Sequence, residues 1–223
     1  MVMLILVPVF VGLGFWQLDR AGQKRQLAGT QETRRNAPVL ELDGRVLDSD
    51  DVEHRMLEVS GIFIPEKSVF IENRKYRGKA GFHVITPMKI GTSDRYLPVN
   101  RGWVRTPPKE EQSALVRVTG RAVVPQPPAI QLGGGFAPDS SQQRWPYFTL
   151  ESYSAWSGLA VYPFMVLQSP DDAHGFVRNW VSKPVDETMH IGYALQWFAF
   201  ALIVAVIWFR ISLVKQSRKE APE

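Results

Sequence analysis

The sequence predicts a membrane protein in which two transmembrane helices flank a mainly antiparallel β domain, a small barrel or sandwich with one short helix. Apolar residues are concentrated at the two ends, whereas the middle contains short alternating runs separated by Gly and Pro. The 223 residues suffice for one domain and two membrane passages. We expect a first transmembrane helix (1–19), a juxtamembrane stalk (20–38), an extracytoplasmic domain (39–187), a second transmembrane helix (188–210) and a basic cytoplasmic tail (211–223).

The two apolar ends differ in strength as membrane signals. Ile191 to Phe209 are nineteen residues without a charge, and at about 1.5 Å per residue they span nearly the ~30 Å hydrocarbon core. Met1 to Trp16 are also uncharged but shorter, without a basic flank or a small-x-small cleavage site. This segment predicts a helix that begins upstream of the given start, and the stretch GFWQLDR is typical of an aromatic belt that closes a membrane helix.

Charge and composition indicate the compartment. Lys and Arg follow both apolar segments, but charges at the start of a long translocated loop count little, so the short basic tail is expected in the cytoplasm. The central domain then lies on the periplasmic side of a multi-pass protein of the inner (plasma) membrane. The chain has no cysteine, which excludes disulfides, covalent c-type haem and thiolate zinc sites. The net charge of +4, without a nucleic-acid motif, favours contact with the lipid bilayer rather than with nucleic acid.

The middle of the chain contains a series of short strands. HRMLEVSGIFIP and SALVRVTGRAVVP each predict one, and Ser68–Asn73 and Gly81–Ile90 predict a hairpin joined by a basic loop. RYLPVNRGWVR predicts a strand in which Pro98 is more tolerable at an edge or bulge. TLESYSAWSGL predicts a short helix with Thr149 as N-cap. AVYPFMVLQS and GFVRNW complete the predicted strands.

Few residues predict chemistry. The four histidines include no pair at a helical metal-ligand spacing, and no nucleophile elbow is present, so we predict no enzyme. His54, His83 and His174 are interpreted as partly exposed structural residues. His190 differs because it stands at the mouth of an apolar helix, where ionisable groups are candidate functional residues. The alternative is a histidine that snorkels to the membrane interface beside an aromatic belt.

Helical spacing places His190, Tyr193, Ala194, Trp197 and Ala201 on one face. A flat porphyrin could lie on this face. In the competing interpretation, the two alanines allow the first helix to approach closely, at Gly12.

The first apolar segment ends in Trp16, Gln17 and Arg20 at the same predicted boundary. The Arg20 guanidinium could pair with a carboxylate such as a haem propionate, or equally with lipid phosphate.

Four stretches, LGFWQLDRAGQK, RGKAGFHVITP, VNRGWV and HIGYALQWFAFA, together resemble the Surfeit locus protein 1 family. They occur in order and span nearly the whole chain. Members of this family are membrane proteins that assist assembly of haem-copper terminal oxidases, chiefly cytochrome c oxidase. The resemblance implies two transmembrane helices around an extracytoplasmic domain, in agreement with the prediction above.

The resemblance also implies a cofactor, partners and sites. It implies that the protein binds haem a and helps place it in oxidase subunit I, with haem a synthase as a further candidate partner. His190 would be the axial ligand of the haem iron. The other expected haem-binding residues are Trp197, Tyr193, Trp16, Gln17 and Arg20, and the expected fold or partner determinants are Gly78, Gly81, Asn100, Arg101, Gly102 and Trp103.

One departure from the family pattern lies just before His190. Asp186 and Glu187 occupy places where typical members carry Pro and Asn, and an acidic pair is expected to repel haem carboxylates. An alternative function is a cofactor-free scaffold whose β domain stabilises a partly assembled oxidase.

Overall fold

The computed structural model describes residues 2–108, 115–129, 143–172, 176–180 and 187–219. The chain divides into two compact units. The helical unit comprises Met1–Glu32 and Ser182–Glu223, and the β domain comprises Thr33–Val181.

The described part of the helical unit consists of two long helices. α1 runs over Val2–Arg35, so the helix continues beyond the first apolar segment through most of the predicted stalk. α4 runs over Thr188–Lys219 and begins at the predicted residue. Within the described residues, α4 is the helix long and apolar enough to cross a membrane, over Thr188–Leu213. This agrees with the stronger of the two membrane predictions.

Among the described residues, the β domain contains eight strands and two short helices. A 3-10 turn at Pro65–Lys67 precedes β3. In chain order the elements are β1 (Leu40–Leu42), α2 (Ser49–Val52), β2 (Met56–Phe63), β3 (Val69–Tyr76), β4 (Lys79–Lys89), β5 (Tyr96–Val104), β6 (Leu115–Val123), β7 (Arg144–Trp145), α3 (Leu150–Ser157) and β8 (Met165–Gln168).

The strands form one mixed sheet in the order β1-β2-β6-β8-β5-β4-β3-β7. A further antiparallel pairing, of Ile62 with Lys89 and Phe63 with Met88, joins β2 to β4. This pairing closes β2, β6, β8, β5 and β4 into a ring, which favours the barrel over the sandwich. Most pairings are antiparallel, as predicted, but β1–β2, β3–β7 and β5–β8 are parallel.

Strand alternation places one core inside the ring. In β2, Leu57, Val59 and Phe63 are buried, while Ser60 and Ile62 between them are exposed, so successive side chains point to opposite faces. These residues pack in a cluster with buried residues of the neighbouring strands, among them Met88, Leu97, Val99, Val118 and Val166. At roughly 1.5–3 kcal/mol for each large apolar side chain, this burial is a major stabilising contribution.

A second cluster lies between α3 and the β3–β4 hairpin, around Trp145 and Tyr153. Thr149 caps α3 as predicted, because the backbone N–H of Ser152 donates to its Oγ1 over 3.2 Å. The Tyr153 hydroxyl donates to the carbonyl of Lys67 over 2.8 Å. Burial raises the pKa of Tyr153 above its usual range, so the phenol stays protonated as a donor.

Two local predictions need correction. The β3–β4 hairpin is tighter than expected: Arg77 and Gly78, both with positive φ, form a two-residue turn, which lengthens both strands. Pro98 does not lie on an edge strand, because β5 pairs with β4 and β8. Pro98 on β5 lies opposite Pro87 on β4. Proline has no backbone N–H, so the two residues that cannot donate to the sheet occupy the same paired position.

The last predicted strand, GFVRNW, is shorter in the structure than expected. In the described part of GFVRNW, Val177 forms an isolated bridge with Trp103 instead of a full strand. The two backbones exchange hydrogen bonds of 2.7 and 3.0 Å there.

Candidate functional site

His190 lies in the first turn of α4, half-buried, and its ring is held by α1. The Nδ1 atom is 2.8 Å from Oε1 of Gln17. An amide oxygen only accepts hydrogen bonds, so with this amide orientation Nδ1 is the donor, and in the neutral imidazole the lone pair is then on Nε2. Metal-binding histidines are commonly oriented in this way, with the second ring nitrogen bonded to a fixed acceptor. The arrangement prepares His190 to act as a ligand through Nε2.

The start of α4 is tied to α1 by an ion pair. Arg25 donates from Nε and Nη2 to the two carboxylate oxygens of Glu187, each over 2.8 Å. The carbonyl of Glu187 accepts from the backbone N–H groups of His190 and Ile191. Arg25 therefore offsets the negative charge of Glu187, whereas the repulsion of haem carboxylates expected from the acidic pair stays a prediction. Asp186 lies outside the described residues.

Trp197 packs against α1. Its ring is stacked on Phe10 with centroids 5.6 Å apart, and Phe200 contacts both rings. Trp197 is thus an aromatic contact between the helices. A role for it in haem binding remains a prediction.

The small residues of α4 allow close packing of the two helices. Ala194 and Ala201 are buried, 1% and 6% exposed. The glycine that α1 contributes is Gly14, not Gly12 as expected: a Cβ on Gly14 would lie 2.5 Å from the Phe198 ring, whereas Gly12 has nothing within 4 Å. The helix-packing interpretation of this face is therefore confirmed. Tyr193, at 51% exposed, lies at its open edge.

Trp16 and Arg20 form part of the surface of α1. The Arg20 guanidinium lies 5.9 Å from the centroid of the exposed Trp16 ring. Arg20 also donates to Gln23, which in turn donates to Asp19. Both side chains are exposed, and Arg20 has a neutral acceptor as its hydrogen-bonding partner. The arrangement fits an anion at Arg20, which remains a prediction.

The remaining predicted determinants lie in the β domain. Gly78 forms the β3–β4 turn described above. Gly81 lies where a Cβ would come within 2.3 Å of the Val104 carbonyl and 2.6 Å of the Trp103 ring. Gly102 has φ +120°, and a Cβ there would lie 2.8 Å from the Val177 carbonyl. These two positions require glycine because backbone passes directly over them.

Asn100, Arg101 and Trp103 are held by contacts within the β domain. The Asn100 side chain accepts from the Gly102 N–H, and Trp103 Nε1 donates to the Arg74 carbonyl over 2.9 Å. The Arg101 guanidinium lies over the rings of Phe63 and Phe176, 4.5 and 4.9 Å from their centroids. These contacts support the interpretation as fold determinants.

Two of the other histidines have depressed pKa values. Burial, with a smaller effect of Arg74, lowers the pKa of His83 to about 4, and its ring meets Trp180 edge-on. Burial is also the main cause that lowers the pKa of His54. In the described ranges no three His, Asp or Glu side chains converge as a metal site. His174 lies outside them.

Two relations in the helical unit were missed from sequence. Gln17 and Arg25 lie on α1, and their partners His190 and Glu187 are more than 160 residues away. The available signal was that each apolar segment is followed or preceded by complementary polar groups. To predict which of these groups pair, one must know how α4 is rotated relative to α1. The local sequence pattern of neither helix gives that rotation.

Comparison with known proteins extends over nearly the whole chain. The profile of the SURF1 family matches residues 4–202. A SURF1-like protein of Rickettsia felis is 24% identical over 93% of this chain and 94% of its own length. Surfeit locus protein 1 of Mus musculus is 25% identical, and that of Homo sapiens 22%, each over 93% of this chain and 74% and 75% of their own lengths.

Proposed function

Because the chain belongs to the SURF1 family, we propose that it is a membrane-bound assembly factor for a haem-copper terminal oxidase, which binds haem a and helps its insertion into subunit I. The observation that supports a cofactor most directly is the His190–Gln17 hydrogen bond. It leaves Nε2 of His190 as the atom that would bind iron.

The residues of the helical unit fit a haem in chemical type. The cofactor would supply an iron that accepts an imidazole ligand and an apolar ring with two carboxylates. His190 would hold the iron, and the exposed rings of Trp16 and Tyr193 offer apolar surface. Arg20, whose hydrogen-bonding partner is a neutral amide, would receive a propionate. Trp197 would act indirectly, by fixing α4 against α1.

A transfer role requires binding without reaction. A single ligand bond from His190 would suit a cargo that must be released, and the Gln17 contact would orient the imidazole before the cargo arrives. We propose no enzymatic step for this protein.

The proposed placement in the membrane uses both long helices. α4 crosses the bilayer over Thr188–Leu213, and the apolar part of α1 forms the second span. The β domain then lies on the periplasmic side of the inner membrane. Subunit I and haem a synthase would be its partners.

The direct test is a pyridine haemochrome spectrum of the detergent-purified protein from cells able to make haem a. The parent is expected to contain haem a and His190→Ala to lose most of it. The matched control is His83→Gln, which changes a histidine of the β domain and should leave haem content unchanged. Full retention of haem by His190→Ala would remove His190 from the ligand role.

A second candidate is a scaffold that binds no cofactor. It is favoured by one exposed apolar pair: Ile62 and Leu115 lie opposite each other on β2 and β6, 43% and 75% exposed. If this function is correct, a double Ile62→Ser, Leu115→Ser variant impairs oxidase assembly, and the parent contains no haem. Arg101 and Trp103 are poor probes of docking, since their contacts lie within the domain.

A further inference from the structure

The turn of the β3–β4 hairpin extends beyond the neighbouring strands of the sheet. β7 pairs with β3 only as far as Ile71, and β5 pairs with β4 only from Phe82 onwards. Residues 74–81 pair with each other across the hairpin and with no further strand among the described residues. They therefore form a two-stranded ribbon with exposed backbone edges, which we call the tip ribbon.

Aromatic contacts brace the tip ribbon against β5. Trp103 lies over Gly81, where a Cβ would come within 2.6 Å of the ring, and its Nε1 donates to the carbonyl of Arg74. The Tyr76 ring packs against Trp103 with centroids 5.4 Å apart, and the Arg77 guanidinium lies 5.4 Å from the centroid of Tyr76. A partner that binds a braced ribbon pays less conformational entropy than one that must first order a loop.

The sequence around the tip ribbon is poor in acids. No Asp or Glu occurs in residues 73–93 or 95–109, and Asp94 between these ranges lies beyond the opposite end of β4. Glu72 precedes the first range, and the acids at 110–111 lie outside the described residues.

Four exposed cations lie at this end of the sheet. They are Lys75, Arg77, Lys79 and, directly after β5, Arg105. In the part of the chain that the structure describes, their side chains form no ion pair or hydrogen bond. Exposed arginines elsewhere on the β domain differ, because Arg45 pairs with Asp43 and Arg117 with Glu58. The positive charge of the tip ribbon is thus available to a partner.

The cations of the ribbon point to both of its faces. Lys79 lies opposite Tyr76, and Lys75 lies opposite Ala80, so the two lysines leave opposite faces. A flat lipid surface cannot contact both faces at once. The tip ribbon also has no large exposed apolar side chain that could insert into a bilayer. A polypeptide segment, in contrast, can lie along the ribbon and reach both lysines.

We propose that the tip ribbon is a docking surface for an acidic, extended segment of a partner protein. Carboxylates of the segment pair with Lys75, Arg77 and Lys79, and the exposed backbone edges of the ribbon offer hydrogen bonds to an extended chain. Complementary charge of this kind speeds association and selects the partner. The surface is independent of His190 and of the proposed haem role.

The test uses the full-length protein in phosphatidylcholine nanodiscs and a fluorescein-labelled peptide of alternating Glu and Thr, in which Thr favours an extended chain. Fluorescence anisotropy gives the affinity of the parent, of the double variant Lys75→Gln, Lys79→Gln and of the matched control Arg45→Gln, Arg117→Gln. Both double variants lose two exposed positive charges. We expect the peptide to bind the tip variant about three- to tenfold more weakly than the parent and the control about equally well.

Weaker binding by the tip variant alone supports the docking surface, and the binding of the parent should weaken as NaCl rises from about 20 to about 200 mM. Equal weakening in both double variants would indicate attraction to net charge and would overturn the proposal, as would no binding by the parent. If the tip variant does not fold, Arg77→Asn replaces it, because asparagine tolerates a positive φ. Peptide binding at the affinity of the parent in that variant also overturns the proposal.

A lipid surface is the alternative occupant, and vesicles of phosphatidylglycerol test it. They are mixed with the same nanodiscs, and binding is measured by co-sedimentation. If the parent binds these vesicles but not the peptide, and the tip variant loses the vesicles, the tip ribbon contacts lipid headgroups and the proposal is wrong.

Discussion

The helical unit and the β domain both contain stretches that resemble the SURF1 family, but the contacts of the residues in these stretches differ between the two units. In the β domain, Gly81 and Gly102 lie under other backbone segments, and the polar atoms of Asn100 and Trp103 bond within the domain. In the helical unit, Gln17 contacts one ring nitrogen of His190, and the other ring nitrogen is the one that we propose as a cofactor ligand. Asn100 and Trp103 form their hydrogen bonds within the β domain, which indicates a structural role. The second ring nitrogen of His190 is where a cofactor would bind.

The largest expected effect is on the structural side, with Gly102→Ala. The added Cβ meets the Val177 carbonyl, and alanine is strained at φ +120°, so we expect a loss of about 3 kcal/mol or more. The Tm should fall by roughly 6–12 °C. The control is Gly78→Asn, which also has positive φ but has nothing within 4 Å and should change little. Equal losses in both would show that the close backbone contact is not the cause.

His83 tests whether a histidine of the β domain is committed to the fold. Its folded pKa of about 4 lies below the ordinary 6.5, so the unfolded chain binds the proton more tightly. The free energy of unfolding should therefore fall as the pH is lowered from about 6.5 towards 4, by up to about 3 kcal/mol. Urea unfolding of parent and His83→Gln at several pH values isolates this contribution. Parallel pH profiles for the two proteins would contradict it.

Gln17→Leu tests whether the helical unit orients the His190 ring for a cofactor. Removing the acceptor of Nδ1 frees the His190 ring to rotate and change tautomer, and we expect haem a affinity to fall by about 10–100-fold. Gln17→Glu keeps the acceptor and should retain binding. The control is Gln196→Leu, an exposed glutamine of α4. The measurement is a haem titration of each variant. If Gln17→Leu binds haem a as tightly as the parent, Gln17 has no positioning role.

Gly14→Ala has the smallest expected effect. A methyl group at Gly14 presses on the Phe198 ring, which can shift, so a loss of about 1 kcal/mol is expected. Gly12→Ala should be neutral or slightly stabilising, because that position is open and alanine favours helix. The measurement is thermal unfolding in detergent followed by tryptophan fluorescence. The opposite ranking of the two variants would place the helix contact at Gly12.

Local pattern predicted the elements better than their partners. Alternation located β2 and β6, apolar length located the start of α4, and the Thr149 cap was visible in sequence. The parallel β5–β8 pair joins segments about 65 residues apart, and no local pattern contains that choice. The error between Gly12 and Gly14 has the same origin. Two residues correspond to about 200° of rotation on a helix, and side-chain packing decides which of them faces α4.

The position of β8 determines when the domain can be completed during synthesis. Met165–Gln168 form the last strand among the described residues, yet β8 lies between β6 and β5 in the sheet. Until these residues emerge, β6 and β5 each present an unpaired edge that can associate with other chains. Ring closure thus waits until residue 168 of 223 has been made, shortly before α4 itself. A nascent chain stopped before β8 would therefore be prone to aggregate through these edges.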